Sequence, residues 1–116
     1  MNILSRLFGG GGGSVEEIDV AGTADAQRNG DVQIVDCRSE REWKSGHIKG
    51  SILMPLGSIG GHLHELNPDQ SVIVVCRSGH RSSMAARKLS GAGFSDVKSM
   101  RGGINAWTRS GKQLIT

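Results

Sequence analysis

The sequence predicts an α/β domain in which a parallel β-sheet is covered on both faces by helices. Two observations carry this. Short apolar runs such as Val72-Ile73-Val74-Val75 have the character of strands buried on both faces. Stretches of helical character separate them in regular alternation, which is the pattern of crossover connections and not of hairpins.

Taken in order, a short strand near Glu17 to Val20 leads to a helix over about Thr23 to Asn29, closed by Gly30. Val32 to Val35 is the second strand, followed by a helix over about Glu40 to Lys44. Ser51 to Met54 is a third, short strand, and Pro55 precedes a helical stretch towards Leu66. Asn67-Pro68-Asp69 has the composition of a turn. Val72 to Val75 is the fourth and most apolar strand, with a helix over Ser82 to Ser90 after it. Asp96 to Ser99 reads as the fifth strand, and Gly102-Gly103 leads to a last helix over Ile104 to Arg109. No internal repeat is present.

Ahead of this pattern, Gly9 to Gly13 is an unbroken glycine run, which has no side chains to pack and the highest backbone entropy. The expected organisation is a flexible segment over 1–14 and one domain over 15–116. Ile3 with Leu7, and Leu4 with Phe8, share a helical spacing. They could form a small docking helix for a partner, a second subunit or a membrane surface; the simpler reading, a frayed tail, is the expected one.

The 116 residues suffice for a single core without disulfide staples. The net charge of +3 is modest and the chain has no Tyr. An extended basic face and a base-stacking platform are therefore missing, and nucleic acid is not an expected partner. No run reaches the ~20 apolar residues of a membrane span, and Met1 to Phe8 is too short for a signal-peptide core. The two cysteines, Cys37 and Cys76, fit no zinc-binding spacing, and no metal or organic cofactor is expected. A reducing, cytoplasmic setting, where a free thiol persists, is the expected location.

The segment Cys76-Arg77-Ser78-Gly79-His80-Arg81-Ser82 joins the most apolar strand to a helix. A thiol there lies among backbone N–H groups, near a helix N-terminus and two guanidinium groups, and all of these favour the reactive thiolate. Cys76 is the expected nucleophile. Gly79 lets the loop curl, and Ser82 or Ser83 is a candidate helix cap. Arg77 and Arg81 suit bidentate binding of an oxyanion.

Four stretches together resemble the single-domain rhodanese (thiosulfate sulfurtransferase) family. They are Asp36-Cys37-Arg38, Gly46-His47-Ile48-Lys49-Gly50-Ser51, the loop from Cys76 to Ser82, and Arg101-Gly102-Gly103 with Trp107. The resemblance runs from Val15 to Gly111. It implies a rhodanese-like three-layer α/β/α sandwich with a five-stranded parallel sheet in the order 1-5-4-2-3. It also implies sulfur transfer through a Cys76 persulfide, from thiosulfate or a persulfide donor to a thiol or cyanide acceptor. A sulfur relay working with a protein partner is the alternative. Phosphatases and arsenate reductases on this fold carry one more residue between Cys and Arg. Here only four residues, Arg77 to His80, separate Cys76 from Arg81, a cradle closer to the size of a sulfur atom than of a phosphoryl group.

Other residues carry simpler expectations. Asp36 and Arg38 are expected to brace the loops as an ion pair, and His47 to be structural. Trp43 and Trp107 are expected to pack, with the pocket rim a further role for Trp107. His62 and His64, two apart, fall on different helix faces and are not expected to hold a metal. His80 either adds positive charge to the loop or points to solvent. Cys37 is either a core residue or a resolving thiol that traps oxidised Cys76 as a disulfide.

Overall fold

The structure, a computed structural model, describes residues 15–116; the expected segment over 1–14 lies outside the described residues. Five parallel strands, β1 (Glu17–Ile18), β2 (Val32–Asp36), β3 (Ile52–Leu53), β4 (Ser71–Val75) and β5 (Val97–Met100), form one sheet in the order β1-β5-β4-β2-β3. The helices are α1 (Val20–Asn29), α2 (Glu40–Ser45), α3 (His80–Gly91) and α4 (Gly103–Arg109). The sheet order expected from the sequence is the one observed.

The central strand explains why both faces are covered. Along β4 the side chains alternate between two apolar clusters, as the period of two requires. Val72 and Val74 enter one with Val35, Met54, Ala85, Ala86 and Leu89, which includes the inner face of α3. Ile73 and Val75 enter the other with Ala24 of α1, Ile34, Met100, and Ile104 and Trp107 of α4. Trp107 is a packing residue; its indole N–H donates to the Gln113 carbonyl at 3.0 Å.

Several boundaries differ from the sequence expectation, each for a local reason. The first strand ends at Ile18 because the Asp19 carboxylate accepts the Gly22 N–H at 2.7 Å. This N-cap starts α1 at Val20, not Thr23. The helical stretch expected between Pro55 and Leu66 is present as two 3-10 segments, Leu56–Gly61 and Leu63–Glu65; Gly57, Gly60 and Gly61 supply too little propensity for an α-helix. The Asn67-Pro68-Asp69 turn is closed by the Asp69 N–H on the Asn67 side chain at 2.9 Å. The fifth strand runs one residue later than expected. Asp96 instead holds Ser71 and Lys98 with its carboxylate, and these partners lower its pKa, Lys98 foremost.

α2 begins with a capping box. The Ser39 hydroxyl accepts the Glu42 N–H at 3.2 Å, and the Glu42 carboxylate accepts the Ser39 N–H at 3.1 Å. Ser39→Ala should therefore cost about 1 kcal/mol in denaturant unfolding. An unchanged midpoint would show that the box adds nothing to the fold.

Candidate active site

β4 is the point at which the strand order turns back, with β5 on one side and β2 on the other. Cys76 stands at its C-terminal end, where crevices form in open parallel sheets. Four backbone facts shape the loop that follows. Gly79 adopts φ 106° and is the N-cap residue of α3, a conformation that favours glycine. Its N–H donates to Cys76 Sγ at 3.1 Å. The Ile104 N–H donates to the Cys76 carbonyl at 2.8 Å, and the Asn105 N–H to the Arg77 carbonyl at 3.0 Å. The first turn of α4 is thus bolted to the cysteine loop.

α3 begins at His80, two residues before the sequence expectation, so Ser82 and Ser83 do not cap it. The Ser83 hydroxyl donates back to the Gly79 carbonyl at 3.0 Å. Ser82 instead turns inward: its hydroxyl lies 3.5 Å from Cys76 Sγ and 2.7 Å from the Ser99 hydroxyl on β5. All three side chains are buried. When Cys76 is ionised, Ser82 donates to the sulfur and Ser99 donates to Ser82.

The charge state of Cys76 follows from these partners. A hydrogen bond from the Cys37 thiol holds Cys76 well below the ordinary thiol range, against the opposing effect of burial. The Ser82 hydroxyl and the N–H groups of Ser82 and Gly79 add to this. Cys37 is displaced the other way, by its hydrogen bond to Cys76, by burial and by the negative charges of Cys76 and Asp36. Of the two, Cys76 is the thiolate, since the loop and α3 supply donors to it alone. Cys37 keeps its proton and gives the hydrogen bond.

The two arginines of the loop meet a partner that the sequence reading did not anticipate. Arg81 donates from Nη1 and Nη2 to the two oxygens of Glu42, at 2.7 and 2.9 Å. Arg77 Nε reaches Glu42 Oε2 at 3.3 Å. The paired Arg81 holds Glu42 far below the usual carboxylate range, and Glu42 raises Arg81 in return. The signal for Glu42 in the sequence was the Ser39-x-x-Glu42 spacing of a capping box, which fixes the carboxylate at the start of α2. Nothing local joins it to a loop more than thirty residues away.

The remaining expected residues divide plainly. Asp36 and Arg38 form a buried ion pair beside the site: Arg38 Nε lies 2.9 Å from Oδ1, Nη2 lies 2.7 Å from Oδ2, and Nη2 also reaches the Gly46 carbonyl at 2.7 Å. They tie the end of β2 to the turn after α2. Ser78 and His80 are exposed. His47 is buried, stacks on Trp43 at 3.5 Å between ring centroids, and hydrogen-bonds the Trp43 carbonyl through Nδ1 at 2.9 Å. His62 pairs with Glu65 at 2.6 Å. No group of three or more His, Cys, Asp or Glu side chains is arranged to hold a metal among the described residues.

Fold and site define a class: a three-layer α/β protein whose cysteine thiolate is cradled after the central strand of a parallel sheet. Residues 20–110 match the rhodanese-like domain family, and the chain belongs to that family. It is 38% identical over 92 residues to the thiosulfate sulfurtransferase GlpE of Pseudoalteromonas translucida (strain TAC 125), covering 79% of this chain and 88% of that one. It is 36% identical over 77 residues to YrkF of Bacillus subtilis (strain 168), a protein named as a candidate sulfur carrier; the match covers 66% of this chain and only 42% of YrkF. Among solved structures, a rhodanese-related protein from Thermoplasma volcanium superposes with a TM-score of 0.78 at 26% identity, covering 86% of this chain and 97% of that one. No helix among the described residues is long and apolar enough to cross a membrane.

Proposed function

We propose that this chain is a sulfurtransferase that carries a sulfane sulfur as a Cys76 persulfide. The observation that carries the proposal is the buried Cys76 sulfur at the end of β4, which accepts the Gly79 N–H at 3.1 Å and lies 3.5 Å from the Ser82 hydroxyl, in a loop one residue shorter than the family resemblance gives for phosphatases. In the first half-reaction the thiolate attacks the outer sulfur of thiosulfate. The new S–S bond forms as the old one breaks, and sulfite leaves with the bonding pair. In the second, a thiol or cyanide acceptor attacks the outer sulfur of the persulfide and Cys76 leaves as thiolate. The negative charge stays near the loop N–H groups throughout, which stabilise it without reorganising.

Arg77 and Arg81 are the proposed anion-binding groups, and Asp36 and Arg38 support the loop from the side. No metal or organic cofactor takes part in these steps. The functional unit is residues 15–116, working in a reducing compartment such as the cytoplasm, where Cys76 stays free.

Glu42 tempers this anion site. Its carboxylate takes up Arg81 and touches Arg77, so a dianionic donor must displace it or share its partners. Glu42→Gln keeps one acceptor oxygen for Arg81, loses the second, and removes the charge. The expected result is a KM for thiosulfate lowered about threefold to tenfold at low salt, corresponding to ~1 kcal/mol, with kcat little changed. A raised KM would instead make Glu42 the group that positions Arg81.

The same neutralisation, with the similarity to YrkF, favours a second reading: a relay domain loaded by a persulfidated protein partner. Thiosulfate:cyanide turnover, compared with loading from a protein persulfide, separates the two. Brisk turnover with thiosulfate identifies the free enzyme. Slow turnover with efficient loading from protein identifies the relay. Hydrolysis of an aryl phosphate above background would overturn sulfur transfer as the function.

A further inference from the structure

One buried nucleophilic group, Cys37, forms no bond to sulfur in the transfer steps above and only helps to hold the charge on Cys76. Cys37 lies one residue past β2, and Cys76 one residue past β4. The strands are parallel and in register, with Asp36 opposite Val75, and the Cys37 N–H donates to the Val75 carbonyl at 3.0 Å. The two cysteines are therefore cross-strand neighbours at the usual strand spacing of about 4.8 Å. That is within the Cα separation of about 4.4–6.8 Å from which a disulfide closes. Both are 1% exposed and enter the same apolar cluster, so their side chains leave the sheet on the same face. Each thiol shifts the other's ionisation, Cys76 downward and Cys37 upward, and both are free thiols.

We propose that this pair gives the protein a second activity: reductive release of the carried sulfur as hydrosulfide, with Cys37 as the resolving thiol. The inference rests on the Cys76 persulfide proposed above. In the loaded state Cys37 Sγ attacks the inner sulfur, Cys76 Sγ. The Sγ–Sγ bond forms as the bond to the outer sulfur breaks, and the outer sulfur leaves with the bonding pair and takes the Cys37 proton. Cys37–SH and Cys76–S–S⁻ thus give Cys37–S–S–Cys76 and HS⁻, with one negative charge on each side. The outer sulfur gains two electrons, and the cysteine pair loses two. No external oxidant enters. A small dithiol, or a protein dithiol, returns the pair to its reduced form by exchange.

Burial gives Cys37 this step to itself. The inner sulfur, Cys76 Sγ, is enclosed in one apolar cluster with Cys37, so Cys37 reaches it without entering from solvent. The reaction is also restrained. The hydrogen bond to Cys76, burial and the neighbouring Asp36 all keep Cys37 protonated, so transfer to a good acceptor outruns release. Release empties the carrier when no acceptor arrives.

The test compares wild type with Cys37→Ser and Cys37→Ala, loaded with thiosulfate without oxygen at pH about 8.5, where even an ordinary thiol is half ionised. The chains are then desalted and followed by intact mass while hydrosulfide is trapped with a bimane alkylating agent. All three are loaded to completion, the Cys37 variants with a longer incubation because they lack one group that holds the Cys76 thiolate, and each should begin one sulfur heavier. Wild type should then pass to a species two hydrogens lighter than the reduced chain, with one hydrosulfide trapped per disulfide. The Cys37 variants should keep their sulfur at least about tenfold longer. A dithiol should restore the wild-type mass and its capacity to reload. Equal decay in all three, or hydrosulfide without the disulfide, overturns the Cys37 step and leaves the persulfide standing. Failure of all three to load overturns the persulfide, and release with it.

Discussion

Cys76→Ser should lower thiosulfate:cyanide turnover at least about a thousandfold while leaving the thermal midpoint within a few degrees. A serine hydroxyl can take the hydrogen bonds of Gly79 and Ser82 but does not ionise in this range, so no nucleophile remains in the loop. Turnover above a tenth of wild type would place the chemistry elsewhere. The thiolate also predicts a pH profile. With its pKa depressed, Cys76 should load at a constant rate from alkaline pH down past neutrality. The rate should fall only as the pH approaches an inflection at the depressed value of about 4, far below the ordinary thiol value of about 8.5. Cys37→Ala removes the first of its hydrogen-bond donors and should move that inflection upward. A profile that does not shift would mean the Cys37 thiol contributes nothing to the charge on Cys76.

Gly103→Ala should be the most damaging single substitution outside the cysteine. Gly103 adopts φ 58°, where a side chain costs roughly 1–2 kcal/mol. A Cβ there would also stand 2.3 Å from the Cys76 carbonyl oxygen and 2.6 Å from the Arg77 carbonyl carbon. These are backbone atoms on which α4 docks, so the loop itself must shift. The expected loss is at least about 3 kcal/mol, or roughly 10–20 °C in Tm for a domain of this size, with turnover falling further than stability explains. Gly91→Ala is the control: open space surrounds it at the end of α3, and it should be neutral or slightly stabilising. A Tm for Gly103→Ala within a few degrees of wild type would mean that the junction of α4 with the loop is soft.

The parts of the fold legible in the sequence are those written in contiguous residues. The apolar runs of β2 and β4 announced the sheet, and the glycines and Asn67-Pro68-Asp69 marked the turns. The strand order came through the rhodanese resemblance, not through the pattern of hydrophobicity. Cys76, Gly79 and the two arginines lie in one short segment, and their proximity needed no fold to be seen. What escaped notice was assembled by the tertiary structure. Glu42 reaches Arg77 and Arg81 from the start of another helix. Ser99 meets Ser82 only because β5 lies beside β4. Gly103 reads as a flexible residue until α4 is seen resting on the Cys76 carbonyl. The early start of α3 has the same origin: the amides of its first turn serve the sulfur, so a serine cap was neither needed nor present. The position of Cys37 was foreseeable from the adjacency of β2 and β4. Its effect on the charge of the nucleophile was not, because that depends on both side chains leaving the sheet on the same face.

Intact mass of the wild-type chain after incubation with thiosulfate tests the central claim most directly. The account predicts one added sulfur, located on Cys76 by peptide mapping and removed as thiocyanate when cyanide is added. A chain that stays unmodified with thiosulfate, a small persulfide and a persulfidated protein alike would contradict it, as would a sulfur found anywhere but Cys76.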